Sequence, residues 1–210
     1  MTENHAAGYA YGLWPLVLIN VALFGGFLLS FAKPDTKLEW RSLGFFASFI
    51  VALFVEMYGF PLTIYLLVSW LGNKYPVADP FSHENGHLLG ILFGVRSDHG
   101  TPLHLLSNIL IIGGAIFIAN GWGAIHKAFG QPVTLEGPYK YIRHPQYVGF
   151  IAIILGFLIQ WPTLVTLLMA PVLIIRYIGL AAREEKIMLQ KYPKEYGDYM
   201  KRVPAWIPRP

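Results

Sequence analysis

Two stretches of this chain concentrate side chains able to do chemistry. The first is Gly137-Pro138-Tyr139-Lys140-Tyr141-Ile142-Arg143-His144-Pro145-Gln146-Tyr147-Val148-Gly149. The second is Arg183-Glu184-Glu185, followed by Tyr192, Tyr196, Tyr199 and Val203-Pro204. Pro138 and Pro145 fix backbone angles and restrict the residues before them. Gly137 and Gly149 permit close backbone approach. Between them stand one Arg, one His and three Tyr. A rigid, polar, aromatic turn beside apolar helices suits recognition of a small molecule. The same residues also suit a membrane-interface turn, with Tyr at headgroup depth and Arg snorkelling. The residues alone leave both readings open.

A third stretch, His83-Glu84-Asn85-Gly86-His87, fits the pattern H-E-x-x-H. On a helix that spacing sets two His on one face for zinc, with the Glu as general base. Asp98, His99 and His104 are near enough in sequence to offer a third ligand. Gly86 weakens such a helix, however, and the motif falls in a polar loop. A solvated loop is the expectation, ahead of a non-catalytic metal contact and of an intramembrane zinc metalloprotease. No metal is assigned to the principal site.

The elements that must position these residues are apolar. Of 210 residues 55% are hydrophobic and 13% charged, with a net charge of +4; the mean hydropathy is +0.48. Soluble domains carry about twice that charge. About 20 apolar residues span a bilayer, and several such runs are present. The expected spans are 13–31, 42–71, 101–124, and a helical hairpin of 147–159 and 164–180 broken at Gln160-Trp161-Pro162-Thr163. Pro61 after Gly59 predicts a kink in the second. Thr101-Pro102 reads as a cap and first helical position. The Gly113-Gly114 pair invites close approach of another helix. The fold class is thus all-α, a polytopic bundle of about five membrane helices forming a single domain over residues 1–210. Residues 1–125 carry the first three spans and 126–210 the chemical core.

Thirteen of the sixteen Lys and Arg fall in segments 33–41, 126–146 and 181–210. The positive-inside rule then sets the N-terminus outside and the C-terminus in the cytoplasm. The start lacks the basic region and cleavage site of a signal peptide, so the first apolar run is read as a retained anchor. A bacterial inner membrane fits. With no cysteine in the sequence, disulfides and thiolate chemistry are excluded. No aromatic and basic patch suggests nucleic acid.

The ordered pattern GPY-x-x-x-RHP-x-Y-x-G, then R-EE, then Y-x-x-Y-x-x-x-VP, resembles the isoprenylcysteine carboxyl methyltransferase and phospholipid methyltransferase family. It covers about residues 131–208. The resemblance implies an integral membrane methyltransferase using S-adenosylmethionine, with a lipophilic acceptor arriving from the bilayer and membrane lipids as partners. It implies that the cofactor is lined by Gln131, Pro132, Val133, Thr134, Gly137, Tyr139, His144, Pro145, Gln146, Tyr147, Glu184 and Glu185. Glu184, His144 and Arg143 are the implied catalytic residues, with Tyr196 and Tyr199 of second rank. Prenylcysteine-methylating members carry an arginine one turn before the glutamate pair, where this chain has Leu180; Arg176 and Arg183 flank that position without matching it. This departure weakens the prenylcysteine reading without removing an isoprenylcysteine-like carboxylate from the candidates, and leaves amine lipids, small lipophilic thiols or another apolar acceptor open. Glu56, expected mid-span in the second helix, is either a packing or a functional carboxylate, with Arg176 as a candidate partner.

Overall fold

The computed structural model describes residues 12–32, 37–71, 83–89, 101–127 and 136–208. Every regular element among them is helical. α1 covers Trp14–Ala32, α2 Lys37–Phe54, α3 Leu62–Leu71, α4 Pro102–Lys127, α5 Pro145–Gln160, α6 Leu164–Lys191 and α7 Pro193–Arg202. Three stretches are long and apolar enough to cross a membrane: Lys37–Gly59, Pro102–Lys127 and Leu164–Lys191. Trp14–Ser30 and Pro145–Gln160 are apolar but shorter. The five expected spans therefore appear as three full-length helices and two short ones.

The second span breaks near Gly59 and Pro61. α2 widens into a π-helical turn at Val55–Gly59, and Phe60 is extended. Proline lacks the N–H that would continue the helix. The expected single element is thus two, and Glu56 stands near the end of the first rather than in the middle of one long span. It lies in the turn just before the break. Its carboxylate accepts from the Thr63 backbone N–H and hydroxyl, both at 3.0 Å. The Thr63 hydroxyl oxygen accepts from the Leu164 N–H at 2.8 Å. Glu56 therefore caps the first turn of α3 and, through Thr63, joins it to the start of α6. Thr63 takes the place considered for Arg176, whose side chain is exposed.

The last span also differs. α6 does not stop at residue 180 but runs unbroken for 28 residues to Lys191. Residues 183–191 are mostly strong helix formers, and Pro193 enforces the stop. Its start is fixed by a reciprocal cap: Thr163 and Thr166 each accept the other's N–H at 3.1 Å. α4 likewise extends past residue 124 to Lys127.

The core is aromatic and aliphatic. Phe46, Phe49, Leu53, Ile118, Phe150, Ile154 and Tyr177 are fully buried. α4 and α5 meet at the expected small residues. A Cβ on Gly149 would lie 2.7 Å from the Gly114 carbonyl oxygen, and one on Gly114 would lie 2.6 Å from that of Gly149. Gly113 faces open space. Backbone cannot yield as a side chain can. Gly149→Ala should destabilise the protein by about 1–3 kcal/mol, seen as a lower unfolding midpoint in detergent, whereas Gly113→Ala should be silent.

Candidate functional site

One end of the bundle gathers the motif residues. Gly137–Lys140 forms a single 3-10 turn, with Gly137 at φ +54°, a backbone angle that glycine adopts without strain. It leads into Arg143 and His144, after which Pro145 opens α5. Glu184 and Glu185 arrive on α6. Tyr196 and Tyr199 arrive on α7, with Val203 just beyond. The segment after α7 folds back onto the Arg-His turn: the N–H groups of Arg143 and His144 donate to the carbonyls of Pro204 and Ala205 at 2.9 and 3.2 Å. Trp206 then lies 5.4 Å from the His144 ring.

The two neighbouring glutamates do different work. Glu185 Oε1 accepts from Arg143 Nε and from His144 Nε2, each at 2.9 Å. Arg143 Nη1 also donates to the carbonyls of Met200 and Val203 at 3.1 and 2.7 Å. These are the last carbonyls of α7, which no helical N–H can reach. Arg143 and Glu185 thus fasten α5, α6 and α7 together. Glu184 instead accepts from the Tyr147 hydroxyl, and its Oε2 stands 3.9 Å from His144 Nδ1. Side-chain exposure separates the roles: 5% for His144, 11% for Arg143 and 18% for Glu185, but 31% for Glu184. Glu184 is the more exposed of the two carboxylates.

Burial lowers the His144 pKa, opposed by Glu185 and assisted by Arg143, which favours the neutral ring. Burial, then the charge of Glu184, holds the Tyr139 phenol well above its ordinary value. The Tyr199 hydroxyl donates to the Tyr139 carbonyl at 2.9 Å. Behind these groups runs a relay of rings: Tyr147 to Tyr177 at 5.6 Å, Tyr177 to Phe150 at 5.4 Å, and Phe150 to Phe46 at 5.1 Å. Phe46 also lines an apolar cleft of about 470 Å³ between α1 and α4, with Phe24, Phe27, Ile112, Ala115 and Ile153.

Tyr139, Arg143, His144, Tyr147, Glu184, Glu185 and Tyr199 are therefore brought together at this end of the bundle. Gln146 points elsewhere, lying against Gly121 of α4. Gln131, Pro132, Val133 and Thr134 lie outside the described residues. Sequence reasoning missed Trp206, two residues beyond the Val-Pro motif. It also missed Glu39 in the first turn of α2, whose charge acts on both Glu184 and Tyr139. Neither carries a local signal; both are brought in by packing, Glu39 through the approach of α2 to α6 where Tyr177 donates to the Ser42 carbonyl at 3.4 Å.

The third stretch behaves differently from expectation. His83–Gly86 is a 3-10 turn, so the helical face required for a zinc protease is not formed. The side chains of His83 and Glu84, and the whole of Asp98 and His99, lie outside the described residues. Asn85 is half-buried and Gly86 and His87 are buried, which corrects the expectation of a solvated loop for that part of it.

Among known proteins, residues 99–195 match the phospholipid methyltransferase family. The cobalt-zinc-cadmium resistance protein CzcN of Cupriavidus metallidurans is 31% identical over 128 residues, 58% of this chain and 58% of that protein. The nickel-cobalt-cadmium resistance protein NccN of Alcaligenes xylosoxydans xylosoxydans is 36% identical over 92 residues, 42% of each. The matches thus span less than two thirds of either relative. No solved structure matches this chain.

Proposed function

We propose, from the premise that residues 99–195 are a phospholipid methyltransferase family segment, that this membrane protein uses S-adenosylmethionine to methylate a lipophilic acceptor. The observation that carries the reading is the partly exposed Glu184 carboxylate, held by Tyr147 and flanked by His144. The donor set fits the cofactor. Trp206, half-buried beside His144, supplies aromatic surface near a cation, and Glu184 can oppose an ammonium or accept from ribose hydroxyls. When bound, S-adenosylmethionine supplies an electrophilic methyl on a sulfonium centre. The chain's own residues orient the partners and exclude water, which favours neutralisation of that charge. An amine acceptor must lose a proton, which Glu184, with His144 behind it, would take. Arg143, implied by resemblance to be catalytic, is read here as a positioning residue, because Glu185 and the α7 carbonyls engage its guanidinium.

The acceptor class follows from charge. Leu180 is buried where a carboxylate-holding arginine would stand, and Arg176 and Arg183 are exposed. Glu185 is paired with Arg143, whereas Glu184 is held by a tyrosine hydroxyl, an environment that suits an amine or a neutral acceptor better than a carboxylate. The cleft between α1 and α4 supports lateral access for a hydrocarbon chain. The positive-inside bias supports a cytoplasmic site, an outside N-terminus and a bacterial inner membrane. The resistance names of the two relatives give a setting in which to look for a phenotype, growth with toxic divalent cations.

Calorimetric titration of detergent-purified protein with S-adenosylmethionine and S-adenosylhomocysteine tests the reading. Micromolar binding by wild type, lost in Glu184→Ala, is the expected result. Folded wild type that binds neither compound would overturn it.

A further inference from the structure

α6 carries a full charge on a face that is otherwise hydrocarbon. Leu168, Val172 and Ile175 are 74%, 56% and 68% exposed, and their spacing sets them along one side of the helix. The helix is long and apolar enough to cross a membrane, so this side meets lipid tails. Arg176 is exposed beside them. It lies about 18 Å along the helix from Leu164 and about 10 Å short of Arg183. A guanidinium at that depth is costly unless it meets an anion or reaches the interface. The nearby carboxylates are engaged elsewhere: Glu56 by Thr63, Glu184 by Tyr147 and Glu185 by Arg143.

Arg183 offers the second half of a site. Seven residues return a helix to within about 20° of its starting direction, so Arg176 and Arg183 share a face, two turns apart. Both are exposed. Gly179 stands between them, also exposed, and a Cβ built there would meet nothing within 4 Å among the described residues. The helix surface is therefore low along the path from Arg176 to Arg183. The long Arg176 side chain can run over Gly179 toward the interface, as snorkelling arginines do. We propose that Arg176 and Arg183 together bind the phosphate of one anionic phospholipid, in the leaflet on the Glu184 side of the membrane.

The ligand's two halves match the surface. A guanidinium is planar, always charged and weakly hydrated, and it forks onto two phosphate oxygens. A phospholipid holds its phosphate near the depth of Arg183, while its chains lie against Ile175, Val172 and Leu168. Lys186, exposed three residues beyond Arg183, adds positive charge on the water side, which favours a net-negative headgroup over a zwitterionic one. The site is separate from the one proposed for methyl transfer. Adjacent helical residues point about 100° apart; Glu184 turns inward to Tyr147 of α5, whereas Arg183 faces outward.

The test uses full-length protein, stripped of lipid in a mild detergent and titrated with phosphatidylglycerol or with diacylglycerol of the same chains. Native mass spectrometry counts the lipid retained. Wild type should hold one phosphatidylglycerol at least about tenfold more tightly than diacylglycerol, and Arg176→Leu and Arg183→Leu should each cut that preference about fivefold. Gly179→Leu should cut it as well, with no change of charge. Glu184→Gln should bind phosphatidylglycerol as wild type does, which separates this site from methyl transfer. Four results would overturn the proposal. They are equal retention of the two lipids by wild type, an undiminished preference in both arginine variants, displacement of the lipid by millimolar glycerol 3-phosphate, and a wild-type dimer that Arg176→Leu dissolves. The third would mean a site for soluble phosphate, and the fourth an arginine engaged by a second copy of the chain. The first reads wild type alone and so decides the matter even if a variant misfolds.

Discussion

Replacing Glu184 with glutamine should reduce methyl transfer from labelled S-adenosylmethionine into a membrane lipid extract by about 10²- to 10⁴-fold, the range for loss of an acid–base group. Glutamine matches the size of glutamate and still accepts from the Tyr147 hydroxyl that holds Glu184. Packing is therefore kept and the capacity to take up a proton is removed, so the unfolding midpoint should barely move. The two kinetic parameters divide the interpretations. A fall in kcat with little change in cofactor affinity points to proton acceptance from an amine acceptor. A rise in the Km for S-adenosylmethionine with kcat preserved points to Glu184 holding the cofactor's cationic groups. Full activity in Glu184→Gln would remove this residue from the reaction.

Glu185→Ala should have the larger structural effect, although it is the immediate neighbour. Its single oxygen Oε1 serves both Arg143 and His144 at 2.9 Å. Removing it leaves a guanidinium of 11% exposure without its counter-charge. Hydrogen bonds to charged groups contribute about 1.5–3 kcal/mol each, and partial exposure keeps the total near the low end, at about 2–3 kcal/mol. The consequence should be local before it is global. Arg143 also holds the last carbonyls of α7, so limited proteolysis should cut first within residues 192–208, followed by loss of cofactor binding. Glu185→Gln, which keeps an acceptor, should recover part of the protection. Arg143→Ala combined with Glu185→Ala should cost less than the sum of the single changes, because both break one contact. Equal protease resistance in wild type and Glu185→Ala would show that this network does not hold the segment.

Local chemistry made several features legible in the sequence. Pro61 and Gly59 announced the break in the second span, Thr101-Pro102 the start of α4, and Trp161-Pro162 the turn of the hairpin. Each depends on the backbone limits of one or two residues. The convergence of Tyr139, His144, Tyr147 and Glu184 was legible only through the ordered motif, since their separations along the chain give no hint of contact. The division of labour between Glu184 and Glu185 was hidden. Adjacent helical residues point about 100° apart, and only the position of α5 decides which one meets Arg143. Glu56 was misplaced because a uniform helix puts it at mid-depth, whereas the π-helical turn and break make it a cap.

The uninterrupted α6 also acts as a depth gauge. Its N-terminus is fixed by the Thr163 cap at the hairpin tip. With a rise of about 1.5 Å per residue, about 20 residues traverse a hydrocarbon layer of about 30 Å. Counted from Thr163, that distance ends at the turn bearing Glu184. A lipid whose tail remains among its neighbours would already present its headgroup, rather than its chain, to this carboxylate. On the proposed function, methylation would then require no extraction from the bilayer, and selectivity among lipids would be exercised on the few atoms nearest the water.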